Sequence, residues 1–225
     1  NTIRDAGLTT ADIDGVACAG ESPTNIAHYL GIVPTWVDGT SVGGCSFMLH
    51  VRHAAAAINE GLCETVLITH GESGRSGIGR GGHPGGGATL PGQFEAPYCG
   101  MGPTTMFTIP FLRYMKETGT TLEQLAMVAV VQREWAAMNP RASFRDPLTV
   151  QEVMQDKMIA YPFTRTQCCL VTDGGGALIL TSAERAKDFP QKPVFILGTG
   201  ESVETPMISQ MEDFTTSRAF KVSAK

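Results

Sequence analysis

Clustered positive charge, paired-cysteine spacing and long apolar runs are all missing from this sequence. Its 17 Lys and Arg residues are scattered singly among 22 Asp and Glu, giving a formal charge of −5. That pattern argues against a nucleic-acid or anionic-membrane partner, either of which needs a dense basic patch. The six cysteines, at positions 18, 45, 63, 99, 168 and 169, form no C-x-x-C pair. Cys168 and Cys169 are adjacent, a poor geometry for an ordinary disulfide, so reduced thiols in a cytoplasmic protein are expected. No apolar run approaches the roughly 20 residues of a membrane-spanning helix, and a soluble protein is expected. His50 and His53 lie three apart but have no acidic or thiol partner at helical spacing. They read as polar packing or a subunit contact, and no metal site is expected.

What is present is glycine, 26 residues of it, with 42% hydrophobic and only 17% charged content in 225 residues. This is the composition of a close-packed α/β protein with many turns, large enough for one sizeable core or two modest ones. Asn1 to Leu8 reads as the last turns of a helix and Thr216 to Lys225 as the first turns of another. The chain is therefore expected to be a fragment of something longer.

The sequence is organised around Val42-Gly43-Gly44-Cys45-Ser46-Phe47. Upstream, Thr35 to Val42 alternates like a strand. Downstream, Met48, Val51, Ala55, Ile58 and Leu62 recur at helical spacing until Gly61. Thr65 to Thr69 is apolar enough for a strand buried on both faces. Strand, turn, helix and strand make a βαβ unit with Gly-Gly-Cys-Ser at the helix start, where a positive dipole end favours a thiolate or a developing anion.

Val16 to Ala19 reads as a short buried strand and Asn25 to Gly31 as a helix. Residues 73–103 are rich in Gly and Pro and read as a long surface excursion. Gly77 to Gly82 formally satisfies G-x-G-x-x-G, but it follows the strand too late and opens no helix, so dinucleotide binding is rejected. Next come a helix over Thr104 to Glu117 bent near Pro110, and one opened by Thr120-x-x-Glu123 with Leu125, Val128, Val131, Trp135 and Met138 on one face. A third is opened by Thr149-x-x-Glu152. Ala177 to Thr181 and Val194 to Gly198 read as strands, and Asp173 with its three glycines as a tight turn.

In this order the elements resemble the thiolase superfamily. The resemblance is carried by Gly43-Gly44-Cys45-Ser46-Phe47, by Ile58-Asn59-Glu60-Gly61 leading to Glu64 through Ser73, and by Tyr114 through Thr120. Asn139-Pro140-Arg141-Ala142 and Gln167 through Ala177 complete it. The paired cysteines before Asp173 are most similar to the sterol-carrier or lipid-transfer branch. The resemblance implies a layered thiolase-like α/β half, with βαβ units around a mixed sheet and a helical loop-domain insertion. Its parts are residues 1–96 as N-terminal core, 97–165 as helical loop domain, 166–200 as a return to the core, and 201–225 as the start of a truncated C-terminal half.

Thiolases act through an acyl-cysteine at the helix start. Counting back from Ile58 and Gly61 places the family's nucleophile position on Gly44, with Cys45 one residue late, a rotation of about a third of a turn on a helix. Cys45 then points into packing unless a bulge in the turn restores it. The resemblance thus implies a CoA-thioester enzyme that makes or breaks a C–C bond next to the thioester. Retro-aldol cleavage of a β-hydroxyacyl-CoA from a lipid or steroid side chain, without an acyl-cysteine, is ahead of a Cys45-dependent acyltransferase. A non-catalytic acyl-CoA-binding subunit is the third reading. Cys45, Gly44 and His70 are the catalytic-site candidates, and Met101, Gly43 and Ser46 the substrate-binding ones. No bound cofactor is expected, coenzyme A entering as part of the substrate. The implied partners are a second copy, as a homodimer through the edge strand at Thr35 to Val42, and a protein with an OB-fold and zinc ribbon.

Overall fold

The computed structural model describes residues 1–77, 88–98 and 102–225. Along the chain come α1 (Thr2–Asp5), β1 (Gly15–Ala17), α2 (Pro23–Leu30), β2 (Trp36–Asp38), α3 (Ser46–Asn59) and β3 (Thr65–Ser73). They are followed by α4 (Leu90–Phe94), α5 (Pro103–Met106), α6 (Thr108–Thr118), α7 (Leu122–Met138) and α8 (Val150–Gln155), and by β4 (Met158–Ala160), β5 (Phe163–Thr164) and β6 (Asp173–Thr181). The chain divides into two compact units. The first is Asn1–Gly79, Thr172–Glu201 and Val222–Lys225; the second is Arg80–Val171 and Ser202–Lys221. These breaks fall at 79/80, 171/172, 201/202 and 221/222, against 96/97, 165/166 and 200/201 in the sequence reading.

The first unit is a mixed sheet ordered β2-β1-β3-β6, with β1 parallel to β2 and β3 and with β6 antiparallel to β3. The crossover from β1 to β2 moves one way along the sheet and that from β2 to β3 moves back, so right-handed connections put their helices on opposite faces. Accordingly α3 covers one face, burying Ala54 and Ala57 against Ala17, Val66 and Ile68. Ala27 of α2 covers the other, with Ile13 and Ile32, against Val16 and Leu67. The alternation of Val66, Leu67 and Ile68 between clusters is the period of two of a strand buried on both sides.

Several expectations are corrected here. The strand at Thr35 to Val42 is shorter, because only Trp36–Asp38 finds a ladder partner, in β1. The buried stripe of α3 runs through His50, Ala54 and Ala57 with Phe47, Val51 and Ile58 beside it, which leaves Met48 and Leu62 exposed. Strand β6 begins at Asp173, so the three glycines lie inside a ladder and not in a turn. They suit it: a Cβ on Gly175 would stand 2.6 Å from the carbonyl oxygen of His70. Asp173 does hold a turn, but the one after β3, its Oδ1 accepting from the backbone N–H groups of Arg75 and Ser76. Val194 to Gly198 forms no strand, since it finds no ladder partner among the described residues, and Leu197 is 97% exposed.

In the second unit, the helix expected across Thr104 to Glu117 is two helices broken at Phe107. Pro110 sits in the first turn of α6, where its missing N–H costs nothing. The capping box of α7 is Thr121 with Gln124, one residue later than expected, and that of α8 is Thr149 with Glu152. Helix α7 packs Ala126 and Val130 against Val153 of α8. Its expected apolar face therefore turns outward, with Trp135 70% exposed.

Candidate active site

Parallel strands present their carboxyl ends to a ligand crevice, and here those ends are Ala17, Asp38 and the part of β3 leading to His70. The turn from β2 into α3 is built by Gly43 and Ser46. Gly43 has φ +88, a left-handed conformation that a side chain would strain. Ser46 is buried, its hydroxyl donating to the Gly43 carbonyl at 2.6 Å and accepting the Val42 N–H at 2.9 Å. Both hydroxyl roles are thus spent on the turn, which gives Ser46 a structural part in it.

Gly44 differs from Gly43. Its φ lies outside the left-handed region, and no atom stands within 4 Å of where a Cβ would project. Neither backbone nor packing requires glycine there. Cys45 is the N-cap of α3 and is exposed, with its Sγ 3.8 Å from the Val42 carbonyl oxygen. The sequence reading that turned Cys45 into packing is corrected: the helix begins at Ser46, so Cys45 precedes the first buried position of the α3 face.

Behind the turn, Asp38 collects hydrogen bonds. Its Oδ1 accepts from the Thr40 N–H at 2.9 Å and the Thr40 hydroxyl at 2.7 Å, and its Oδ2 from His53 Nδ1 at 2.7 Å. Burial pushes the Asp38 carboxyl up, but the bonds from Thr40 and His53 together outweigh it and hold it below the usual carboxylate range. His53 Nε2 lies 3.5 Å from Glu201. His50 is fully buried and donates from Nε2 to the Thr40 carbonyl at 2.9 Å. Both histidines are thus polar packing on the helix face, and no metal-binding cluster occurs among the described residues.

His70 extends the site. Its ring packs against Phe47 with centroids 4.4 Å apart and planes tilted by 37°, and its nitrogens face the Ala19 carbonyl at 3.3 Å and Glu72 at 3.1 Å. The structure therefore joins His70, through Phe47, to the start of α3. Met101 lies outside the described residues, as does most of the Gly77 to Gly82 motif. Asp14 was missed by the sequence reading. Its carboxylate accepts the backbone N–H groups of Glu64 and Thr65, fixing the start of β3 beside β1. Cys18 and Cys63 are buried, and burial pushes both thiols up to about 11, with help from Glu21 and Asp14 respectively.

No family model matches the chain. It is 33% identical over 210 residues to a steroid side-chain-cleaving aldolase of Thermomonospora curvata, covering 88% of this chain and 54% of that protein. It superposes on the structure of an Ltp2-ChsH2(DUF35) aldolase with a TM-score of 0.84 and 30% identity, covering 95% of this chain and 57% of the other. A monomeric SCP2-thiolase-like protein type 1 from Mycobacterium smegmatis has the same fold, with a TM-score of 0.68 at 21% identity, over 96% of this chain and 46% of the other. The chain spans about half the length of the curated relatives it matches. No described helix is long and apolar enough to cross a membrane.

Proposed function

This chain belongs to the SCP2-thiolase-type branch of the thiolase superfamily, and from that premise we propose that the protein cleaves a C–C bond next to a CoA thioester by retro-aldol chemistry, without an acyl-cysteine. The observation that carries this reading is Gly44. By the count from Ile58 and Gly61 we assign it to the family's nucleophile position; neither backbone nor neighbours exclude a side chain there, and glycine supplies no thiol. The likeness to a steroid side-chain-cleaving aldolase supports a β-hydroxyacyl-CoA with a lipid or steroid side chain as the substrate.

In such a reaction a base takes the β-hydroxyl proton, the Cα–Cβ bond breaks as the β-carbon becomes a carbonyl, and the electron pair passes to the thioester as an enolate. The part assigned to this chain is the enolate. The N-terminus of α3, a helix of 14 residues, places the positive end of its dipole at the Gly43-Gly44 turn, where a developing oxyanion is stabilised. His70, oriented by its contacts with Ala19, Glu72 and Phe47, is assigned to the same crevice, with Nε2 exchanging Glu72 for the thioester oxygen when substrate binds. Gly43 and Met101 are assigned to substrate contact, and no bound cofactor is invoked. A partner protein with an OB-fold and zinc ribbon is included, supported by the two-component name of the Ltp2-ChsH2(DUF35) aldolase. A homodimer through the exposed edge of β2 is included as well, and a cytoplasmic location with it.

A second reading, a Cys45-dependent acyltransferase, is favoured by one observation: Cys45 is exposed at the helix N-cap. The two separate in the full-length protein with its partner. Retro-aldol chemistry predicts release of a shortened acyl-CoA from a β-hydroxyacyl-CoA, with Cys45→Ala retaining activity within about twofold. An acetyl adduct on Cys45 after incubation with acetoacetyl-CoA, seen by mass spectrometry, together with loss of activity in Cys45→Ala, would replace it with the thiolase reading. Saturable acyl-CoA binding with no turnover of either substrate would leave a binding subunit.

A further inference from the structure

The second unit contains a cavity of about 540 Å³ whose wall is mainly apolar, including Phe94, Tyr98, Met106, Ile109 and Phe214. One acid lines it. Glu95 follows the last residue of α4, is 8% exposed, and is pinned there by three bonds. Its N–H donates to the Pro91 carbonyl, its carbonyl accepts the Tyr98 N–H, and its Oε1 accepts the Ser209 N–H at 2.7 Å. Its other oxygen, Oε2, is buried and has no hydrogen-bond partner among the described residues.

A buried carboxylate oxygen without a donor costs free energy until one is supplied. Among the described residues no Lys, Arg or His lines the cavity to supply it. The hydroxyl protons of Thr105 and Thr108, also on the wall, go to the Gly102 and Thr105 carbonyls. The space is of the size that takes a drug-sized or lipid-sized molecule, roughly 300–1,000 Å³. The group such a molecule should carry follows from counting. An ammonium brings three donors to one free carboxylate oxygen and leaves two poorly met in an apolar surround, whereas an alcohol brings one.

We propose that this cavity binds a largely apolar alcohol whose hydroxyl donates to Glu95 Oε2. Every described lining residue belongs to the second unit, and the inference does not depend on the C–C cleavage reading. The alcohol's body occupies the aromatic wall and its hydroxyl donates to the oxygen that no described group reaches.

The test compares three probes of nearly equal size, 1-octanol, methyl heptyl ether and octylamine, by isothermal titration calorimetry on the full chain. Octanol binds saturably, about tenfold or more tighter than the ether, which has no donor, and than the amine. In Glu95→Gln the amide oxygen keeps the Ser209 N–H and the amide N–H₂ faces the cavity, so the octanol advantage over the ether falls to within about twofold. Ile109→Trp, which fills the cavity from its wall, abolishes octanol binding while cooperative unfolding is kept. Equal affinity for octanol and ether in the unsubstituted protein overturns the proposal. So does tighter binding of octylamine, an octanol advantage unchanged in Glu95→Gln, or no saturable binding at all. If Glu95→Gln does not unfold cooperatively, the order of the three probes on the unsubstituted protein decides.

Discussion

His53 of α3 donates from Nδ1 to Oδ2 of Asp38 at 2.7 Å, tying the middle of the helix to the end of β2 across the turn that holds Gly44 and Cys45. The same carboxylate takes both hydrogen bonds of Thr40, so one residue sets the path of the chain from strand to turn.

Because the folded Asp38 titrates below an ordinary carboxylate, its contribution to stability is present above the unfolded value of about 4 and is lost as pH falls through the lower folded value. Asp38→Asn should cost about 1–3 kcal/mol at pH 6 and flatten the decline of stability below pH ~4. Urea midpoints between pH 6 and pH 2 measure both effects. An unchanged acid limb in the variant would show that Asp38 is not the group responsible.

Thiol reactivity should divide the cysteines sharply. At pH 8 a thiol titrating near 11 is only about one part in a thousand thiolate, so Cys18 and Cys63 are protected by ionisation as well as burial. Exposed Cys45 should be alkylated by iodoacetamide at least about a hundredfold faster than either. Peptide mapping over a time course reads this directly, and comparable rates at Cys45 and Cys63 would contradict it.

The two glycines of the turn should respond differently to the same substitution. Gly43→Ala forces a side chain into φ +88 and should cost about 1–2 kcal/mol. Gly44→Ala and Gly44→Cys meet no neighbour and should stay within about 0.5 kcal/mol of the parent. Equal losses at both positions in chemical denaturation would mean that the turn is constrained differently.

Asp14→Ala leaves the backbone N–H groups of Glu64 and Thr65 without their acceptor and should destabilise the first unit by about 2 kcal/mol. Faster hydrogen exchange at Thr65 to Ile68 than in the parent protein is the accompanying local sign. A loss confined to the second unit would argue against it.

Much of the first unit was legible because each signal there is local. The apolar run at Thr65 to Thr69 and the helical spacing after Cys45 are properties of neighbouring residues, and they hold wherever the segment is placed. The face of α7 was not legible. Leu125, Ala126, Val128, Ala129, Val130 and Val131 put apolar groups all round the helix, so the period alone does not say which stripe meets α8. Val194 to Gly198 has the residues of a strand, but a strand exists only with a neighbour to share its ladder. The roles of Asp14 and Glu95 were equally hidden. Their partners lie 50 or more residues away for Asp14 and 114 away for Glu95, and no spacing rule reaches that far. At the candidate site, the open space beside Gly44, the exposure of Cys45 and the contact of His70 with Phe47 all needed three dimensions.

The open space beside Gly44 also bears on how this turn can change over generations. Codons for glycine and cysteine can differ by a single nucleotide, and here that replacement meets neither backbone strain nor a neighbouring atom. Where the Gly44 codon is GGT or GGC, a single base change places a thiol in this turn with its Cβ in open space. Neither backbone strain nor an atom in reach of the new Cβ holds this position as glycine.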